Sequence, residues 1–198
     1  MTFEQVQAFI VFAVVAAITP GPSNVMLAAT GASVGVLRGM PCLLGVGAGM
    51  GLMMSLAAFG LGSLVLGSAI LAEALKWCGA GFLLWLSWRI ATAGKSDSRY
   101  SGQPIGFVGA ALFQWLNPKS WLVSTSAVGT YFQADGGTAL MQSVSIGALF
   151  VAAALPSGFV WLATGVGLQR MLVSPRRLRI FNIATGSILA SSVLWFLW

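Results

Sequence analysis

Two short segments carry the residues whose types and spacing could bind a solute. The first reads TPGPSN and consists of Thr19, Pro20, Gly21, Pro22, Ser23 and Asn24. The second reads QWLNPK and contains Gln114, Asn117, Pro118 and Lys119. Proline removes a backbone donor and clashes with the carbonyl four residues back, so it interrupts a helix. Both segments therefore predict a helix break that is accompanied by hydrogen-bonding side chains.

Each predicted break offers groups that suit a zwitterion. The half-helix that begins after a break presents free amides and the positive end of its dipole, and both attract a carboxylate. Pro22 and Pro118 suit the first helical position, while Ser23, Asn24 and Asn117 can cap the half-helix or bind a solute. We therefore expect the anionic end of a substrate near these helix starts.

The half-helix that ends at each break should leave carbonyls without donors. Ala16 and Ile18 precede the first break, and Gln114 precedes the second. An unsatisfied carbonyl in hydrocarbon costs several kcal/mol, so we expect the breaks to face the protein interior or a wet cavity, where an α-ammonium could bind. A proline can also merely kink a membrane helix, which is our interpretation of Pro156, where no polar residues accompany it.

Lys119 is the only strongly charged residue placed well inside an apolar stretch. Such residues are usually functional. Lys119 could hold a carboxylate, carry a coupling proton or reach the membrane interface by snorkelling. No Asp or Glu lies in the middle of a predicted span. A cationic side chain on the substrate would therefore find no counter-ion, which favours neutral solutes.

The elements that must position these residues are membrane-spanning helices. The chain has 198 residues, of which 58% are hydrophobic and only 7% are charged, whereas soluble domains are about 25% charged. A span needs about 20 helical residues. Runs such as LFVAAAL do not alternate as the strands of a β-barrel do. We predict an all-α membrane protein with six helices, at residues 4–30, 40–66, 69–91, 105–132, 138–168 and 178–198.

The basic residues are divided unevenly between the two sides of the membrane. One side would hold Arg38, Arg89, Lys95, Arg99, Arg170, Arg176, Arg177 and Arg179, and the other Lys76 alone. Cytoplasmic loops collect Lys and Arg, so both termini should lie outside. Topology thus accounts for the net charge of +6, and we expect no nucleic-acid partner. A multi-pass membrane location follows.

Three helices in each half predict an inverted repeat within a single domain, residues 1–198. The halves would be about 1–92 and 104–198, so they enter the membrane from opposite sides. The two breaks then occupy corresponding helices, the first and the fourth. Thr19 and Asn117 would lie roughly 22 and 18 Å from their membrane surfaces, which places both breaks near the midplane.

Other residues set limits on the chemistry. Cys42 and Cys78 would begin helices on opposite faces of the bilayer, too far apart for a disulfide, so both should be reduced packing residues. The chain has no histidine, and we expect no metal site and no cofactor. Two G-x-x-x-G pairs, Gly45 with Gly49 and Gly47 with Gly51, favour tight packing inside the protein, with a homodimer face or a cavity wall as alternatives.

The combined motifs resemble the LysE/RhtB family of amino-acid exporters. The resemblance rests on TPGP with a following Asn, GASVGVLRG (31–39), LKWCGAGFLLWLSWR (75–89) and QWLNPKSW (114–121). It implies export of amino acids or close derivatives across the inner membrane, driven by an ion gradient, with proton exchange expected. It also implies substrate and gating roles for Pro20, Gly21, Pro22, Asn24, Asn117, Pro118 and Lys119. Phe82 stands where members often carry Tyr.

These observations predict a secondary exporter, not an enzyme, that holds a small neutral amino acid at the two breaks. One alternative is a membrane thiol-redox protein of related fold, which needs two thiols that can approach each other. The other is a scaffold subunit without transport, which would need no cavity at residues 19–24 and 117–119. Trp115 and Trp121 flank the second break and could line a cavity or contact lipid.

Overall fold

The structure is a computed structural model that describes residues 1–92, 105–132, 139–171 and 174–197. Its regular elements are all helical, in agreement with the predicted class. They are α1 (Phe3–Ile18), α2 (Pro22–Leu56), a π-helical turn (Ala57–Leu61), α3 (Gly62–Gly67), α4 (Ala69–Thr92), α5 (Phe107–Leu116), α6 (Pro118–Tyr131), α7 (Ala139–Met171) and α8 (Pro175–Leu197).

Helices end at both proline segments. Thr19, Gly21 and Asn117 all have extended backbones, with ψ angles of 129°, 177° and 112°. Each of these residues directly precedes a proline, which disfavours the helical conformation of its predecessor. Local sterics therefore account for the gap of residues 19–21 between α1 and α2, and for the single residue between α5 and α6.

The connection predicted over residues 31–39 is not a loop. Helix continues on both sides of Gly35, whose φ of 80° is the one non-helical conformation within α2. Glycine has no Cβ and adopts positive φ readily. The hydroxyl of Thr30 donates to Cys42 Sγ at 3.7 Å, although 12 residues of straight helix would span about 18 Å. The chain therefore folds back on itself at Gly35, and α2 is a helical hairpin.

Glycines bring α2 close to its neighbours. A Cβ built at Gly49 would lie 2.6 Å from the carbonyl oxygen of Ala111 in α5, and one at Gly51 would overlap Val151 in α7. Gly45 and Gly47 face the same two helices, α5 and α7 respectively. The predicted internal packing is therefore observed. These glycines are covered within one chain and give no support to a homodimer face.

The core has two clusters of buried apolar side chains. One is centred on the α2 hairpin and includes Leu27, Leu43 and Leu162. The other joins α1, α6 and α7, and includes Phe9, Ala127 and Ile146. Members of both clusters, among them Leu43 and Phe150, line one cavity. Asn117 of the second break is buried, whereas Thr19 and Pro20 of the first break are exposed and Gly21 is half-buried.

Two stretches of the described chain are long and apolar enough to cross a membrane, Pro22–Val65 and Ala139–Leu168. The first includes the turn at Gly35, so the chain reverses its direction within this stretch. Phe3–Ile18 and Phe107–Leu116 are apolar but shorter, because each ends at a break. The last four predicted spans begin and end within three residues of the helices they match. The basic loop over residues 94–104 lies outside the described residues.

Candidate functional site

The two helix breaks contact each other. Asn117 Nδ2 donates to Ser23 Oγ at 2.9 Å, and the ammonium of Lys119 donates to the backbone carbonyl of Thr19. These four residues are separated by about a hundred positions in the sequence and come from different halves of the chain. The structure thus brings the two predicted polar segments into one site.

Gln114 connects the side chains of the site. Its Oε1 accepts from Ser23 Oγ at 2.9 Å and from Ser120 Oγ at 3.0 Å. Its Nε2 donates to the Ala110 carbonyl at 3.0 Å within its own helix. The Gln114 side chain is fully buried, where an unpaired amide would be costly. These bonds hold the amide in one orientation, because buried polar networks are stable only when satisfied.

The carbonyls around the first break are bonded by side chains from other segments. Asn24 Nδ2 donates to Ala17 O at 3.0 Å and to Thr19 O at 2.7 Å. Trp161 Nε1, from α7, donates to Ile18 O at 3.1 Å. The expectation of an unbonded Ile18 carbonyl was therefore wrong. The Ala16 carbonyl still lacks its usual helical donor, because residue 20 is a proline.

The second break satisfies its own backbone. Asn117 Oδ1 accepts from the Lys119 amide at 3.1 Å and so caps α6. The Asn117 amide donates to Gln114 O at 3.2 Å, and the Asn117 carbonyl accepts from the Ser120 amide at 3.0 Å. The expectation of an unbonded Gln114 carbonyl was therefore also wrong, and the start of α6 offers fewer free amides than predicted.

The start of α2 is different, because no side chain caps it. Its N-cap residue is Gly21, and the amides of Asn24 and Val25 donate to the Gly21 carbonyl at 3.0 Å. Pro22 has no amide. Ser23 occupies the second helical position, where an amide has no partner within the helix. Of the two helix starts, that of α2 is therefore better suited to receive a carboxylate.

A cavity of about 50 Å³ lies beside the joined breaks. Its polar wall is formed by Gly21, Ser23, Asn24, Gln114, Asn117, Lys119 and Ser120. Its apolar wall is formed mainly by α2 and α7, and includes Leu43, Met50, Phe150 and Leu155. A water occupies about 10–15 Å³ of such volume, so the cavity has room for about four waters or a solute of similar size.

The predicted site residues divide into two groups. Six of them line the cavity, namely Gly21, Ser23, Asn24, Gln114, Asn117 and Lys119, whereas Thr19, Pro20, Pro22 and Pro118 do not. Lys119 is the only ionisable side chain among the described lining residues. Ser120 and the apolar wall were missed. A hydroxyl next to NPK could have suggested Ser120, but no sequence signal places α7 beside the breaks.

The remaining aromatic candidates lie outside the cavity. Trp121 Nε1 donates to Trp115 O at 2.9 Å, and their ring centroids are 6.0 Å apart in a T-shaped pair. Phe82 packs against Phe113, with centroids 5.2 Å apart. The suggestion that the two tryptophans line the cavity was therefore wrong. Their ring pair and the Trp121 hydrogen bond brace the second break instead.

The two cysteines are both free. Cys42 is buried, where it accepts from Thr30 inside the α2 hairpin. Cys78 is exposed on α4, so the expectation that it is a packing residue was wrong. Within the described residues, no group of His, Cys, Asp and Glu could hold a metal ion.

Comparison with known proteins adds independent information. The sequence profile of the family described as LysE type translocator matches residues 14–196. A cysteine/O-acetylserine efflux protein of Klebsiella pneumoniae is 28% identical over 173 residues, which are 87% of this chain and 88% of the relative. One of Salmonella paratyphi A is 30% identical over 131 residues, 66% of this chain and 67% of the relative. The Escherichia coli protein of that name is 28% identical over 171 residues, which are 86% of this chain and 87% of the relative. No solved structure matches the chain.

Proposed function

The chain belongs to the LysE family of translocators, and we propose that it exports a small neutral amino acid or derivative across the bacterial inner membrane. The names of its relatives make cysteine and O-acetylserine the first substrates to consider. Transmembrane amino-acid exporters need a polar site shielded from lipid. The observation that supports the proposal is the cavity at the meeting point of the two breaks.

The chemistry of the cavity suits such a substrate. Polar side chains of Ser23, Asn24, Gln114, Asn117 and Ser120 would bind the amino-acid head group. The apolar wall would take a compact, uncharged side chain. No Asp or Glu lines the cavity among the described residues, so a cationic side chain would lack a counter-ion.

The proposed mode of transport also depends on the cavity at the two breaks. The chain would form one domain of six helices arranged as a 3+3 inverted repeat, with both termini outside and the breaks in the first and fourth helices. Rocking of the halves would expose the cavity to each side in turn. Lys119, as the ionisable residue at the cavity, would carry the proton that is exchanged for substrate. A homodimer would have to use a surface other than the α2 glycines.

Efflux from loaded vesicles tests this function. Vesicles that contain the protein are loaded with labelled cysteine or O-acetylserine, and efflux is followed under an imposed proton gradient. We expect gradient-driven efflux from the wild type and at least tenfold slower efflux from Asn117→Ala and Lys119→Ala. Ser145→Ala is the control, because this exposed hydroxyl bonds only to its own helix, at Met141 O. Unchanged efflux in both site variants would refute the proposed site. No efflux from the wild type would refute the proposed substrates.

A variant without thiols addresses the redox alternative. Cys42→Ala and Cys78→Ala together remove both cysteines, and we expect efflux to continue at a comparable rate. A thiol-redox protein would lose its activity in this variant. Loss of efflux with normal folding would therefore count against the proposed exporter.

A further inference from the structure

The Lys119 ammonium is bonded to an unusual partner for a half-buried cation. It donates to the Thr19 carbonyl, which is neutral and which also accepts from Asn24 Nδ2 at 2.7 Å. Buried cations are normally paired with a carboxylate. The described lining residues contributed by α1, α2, α5 and α7 are all uncharged. The site therefore holds one cation on a carbonyl and has no anion to balance it.

The Thr19 carbonyl does not line the cavity in this arrangement. Lys119 and Asn24 cover it, and both of these side chains do line the cavity. If the Lys119 ammonium left, the carbonyl would keep its bond from Asn24 and would have a free acceptor position next to two side chains that line the cavity. Withdrawal of Lys119 would thus open an acceptor for a new cation without leaving the carbonyl unbonded.

We propose that the Thr19 carbonyl is the binding position of the substrate's α-ammonium, and that the Lys119 ammonium occupies this position when substrate is absent. This inference rests on the proposed function and assigns the two ends of the substrate. The ammonium binds at Thr19 O. The carboxylate binds near the Ser23 amide at the uncapped start of α2.

The two cations exclude each other at this position. Both ammonium groups would need the same carbonyl, like charges within a few ångströms repel, and no carboxylate side chain lines the cavity among the described residues to hold a second cation. Lys119 therefore releases its proton to water on the side from which substrate enters, and the neutral amine makes way for the substrate's ammonium. After the substrate leaves on the other side, Lys119 takes up a proton there and returns to Thr19 O. Proton and substrate thus move in opposite directions.

Two isomers test the ammonium position without any variant. O-acetyl-L-serine has a free ammonium, whereas N-acetyl-L-serine has the same atoms with the nitrogen acylated. Binding to the purified wild type is measured by calorimetry in two buffers of different ionisation enthalpy. We expect O-acetyl-L-serine to bind with release of about one proton, and N-acetyl-L-serine to bind at least tenfold more weakly without release. Equal affinities, or binding of O-acetyl-L-serine without proton release, would overturn the inference.

Substitution of the lysine tests its role. In Lys119→Met we expect binding and exchange of labelled O-acetyl-L-serine to persist without proton release, and accumulation driven by a proton gradient to fall at least tenfold. Lys76→Met is the matched control, because Lys76 does not line the cavity, and it should behave as the wild type. Normal proton release in Lys119→Met would refute the exchange of cations. A wild type that binds and transports neither isomer nor cysteine would instead refute the proposed function itself.

Discussion

The two helix breaks meet at one site but are built differently. The first break spans Thr19–Gly21, and its second half-helix begins without a side-chain cap. The second break is a single residue, Asn117, whose side chain caps the helix that follows. The carbonyls near the first break bond to Asn24, Lys119 and Trp161, whereas those near the second bond mainly to their own segment.

This difference suggests a division of roles. A backbone that satisfies its own groups has a fixed geometry, so the second break can present Asn117 and Lys119 at defined positions. A backbone that relies on side chains can exchange one partner for another. In our proposal, a ligand replaces Lys119 at the first break, and the second break has no side-chain partner that could be exchanged in this way. The predictions below test this difference.

The largest effect should follow loss of the side chain that supports the first break. Asn24→Ala removes the donor to both Ala17 O and Thr19 O. Ala17 O would lose its partner, which costs about 1–3 kcal/mol, and Thr19 O would lose one of its two bonds, worth about 0.5–1.5 kcal/mol. We therefore expect the free energy of unfolding to fall by about 2–4 kcal/mol, measured by denaturation in detergent. Gln7→Ala removes an exposed amide from α1 and should have little effect. Equal losses in the two variants would contradict the support assigned to Asn24.

The second break should be less sensitive, and its two functions can be separated. Asn117→Ala removes the cap of α6, worth about 1 kcal/mol, and the hydrogen bond to Ser23, worth about 1 kcal/mol. We expect a loss of about 2 kcal/mol in the same unfolding measurement. Asn117→Ser keeps a capping oxygen, so it should lose only about half as much. If serine recovered nothing, the capping role would be wrong.

The contact between the breaks should contribute less than either break alone. Ser23→Ala removes the donor to Gln114 and the acceptor for Asn117, and we expect a loss of about 1 kcal/mol. Ser145→Ala should be nearly neutral by comparison. In Ser23→Ala combined with Asn117→Ala, the two losses should not add, because both variants remove one shared bond. Full additivity would show that the two side chains act independently.

The smallest effect should follow loss of a single donor from α7. Trp161→Phe keeps an aromatic ring and removes only the bond from Nε1 to the Ile18 carbonyl. We expect a loss of about 0.5–1.5 kcal/mol. Trp77→Phe is the matched control, because its Nε1 bonds to Glu73 Oε1 on the exposed face of α4 at 2.8 Å. If the control lost as much, the Ile18 carbonyl would not depend on Trp161.

The sequence predicted the features that depend on local sterics. Each of Thr19, Gly21 and Asn117 precedes a proline, so the places where helices end could be predicted from neighbouring residues alone. Six of the ten predicted site residues line the cavity, because polar residues beside a break have few other places to bond in an apolar interior. The 3+3 repeat and the orientation of the termini stay predictions.

Features that depend on distant contacts could not be predicted. The segment over residues 31–39 contains three glycines, and only the packing of the α2 arms decides that Gly35 makes the turn. The apolar wall from α7 forms because glycines let α2 and α7 pack closely. No periodic pattern in the sequence indicates which helices will pack in this way. The sequence did not indicate the partner of Lys119 either. That partner is a backbone carbonyl a hundred residues away, and every residue type carries such a carbonyl.

Protection of the cavity by substrate tests the central claim most directly, namely that both breaks contact the same solute. Ser23→Cys and Ser120→Cys are each introduced into a variant with Cys42→Ala and Cys78→Ala, and alkylation by a small maleimide is timed with and without O-acetyl-L-serine. Ser145→Cys, outside the cavity, is the control. We predict that substrate slows alkylation at both site positions at least threefold and leaves the control unchanged. Protection of neither site position, or of only one, would contradict a substrate held between the two breaks.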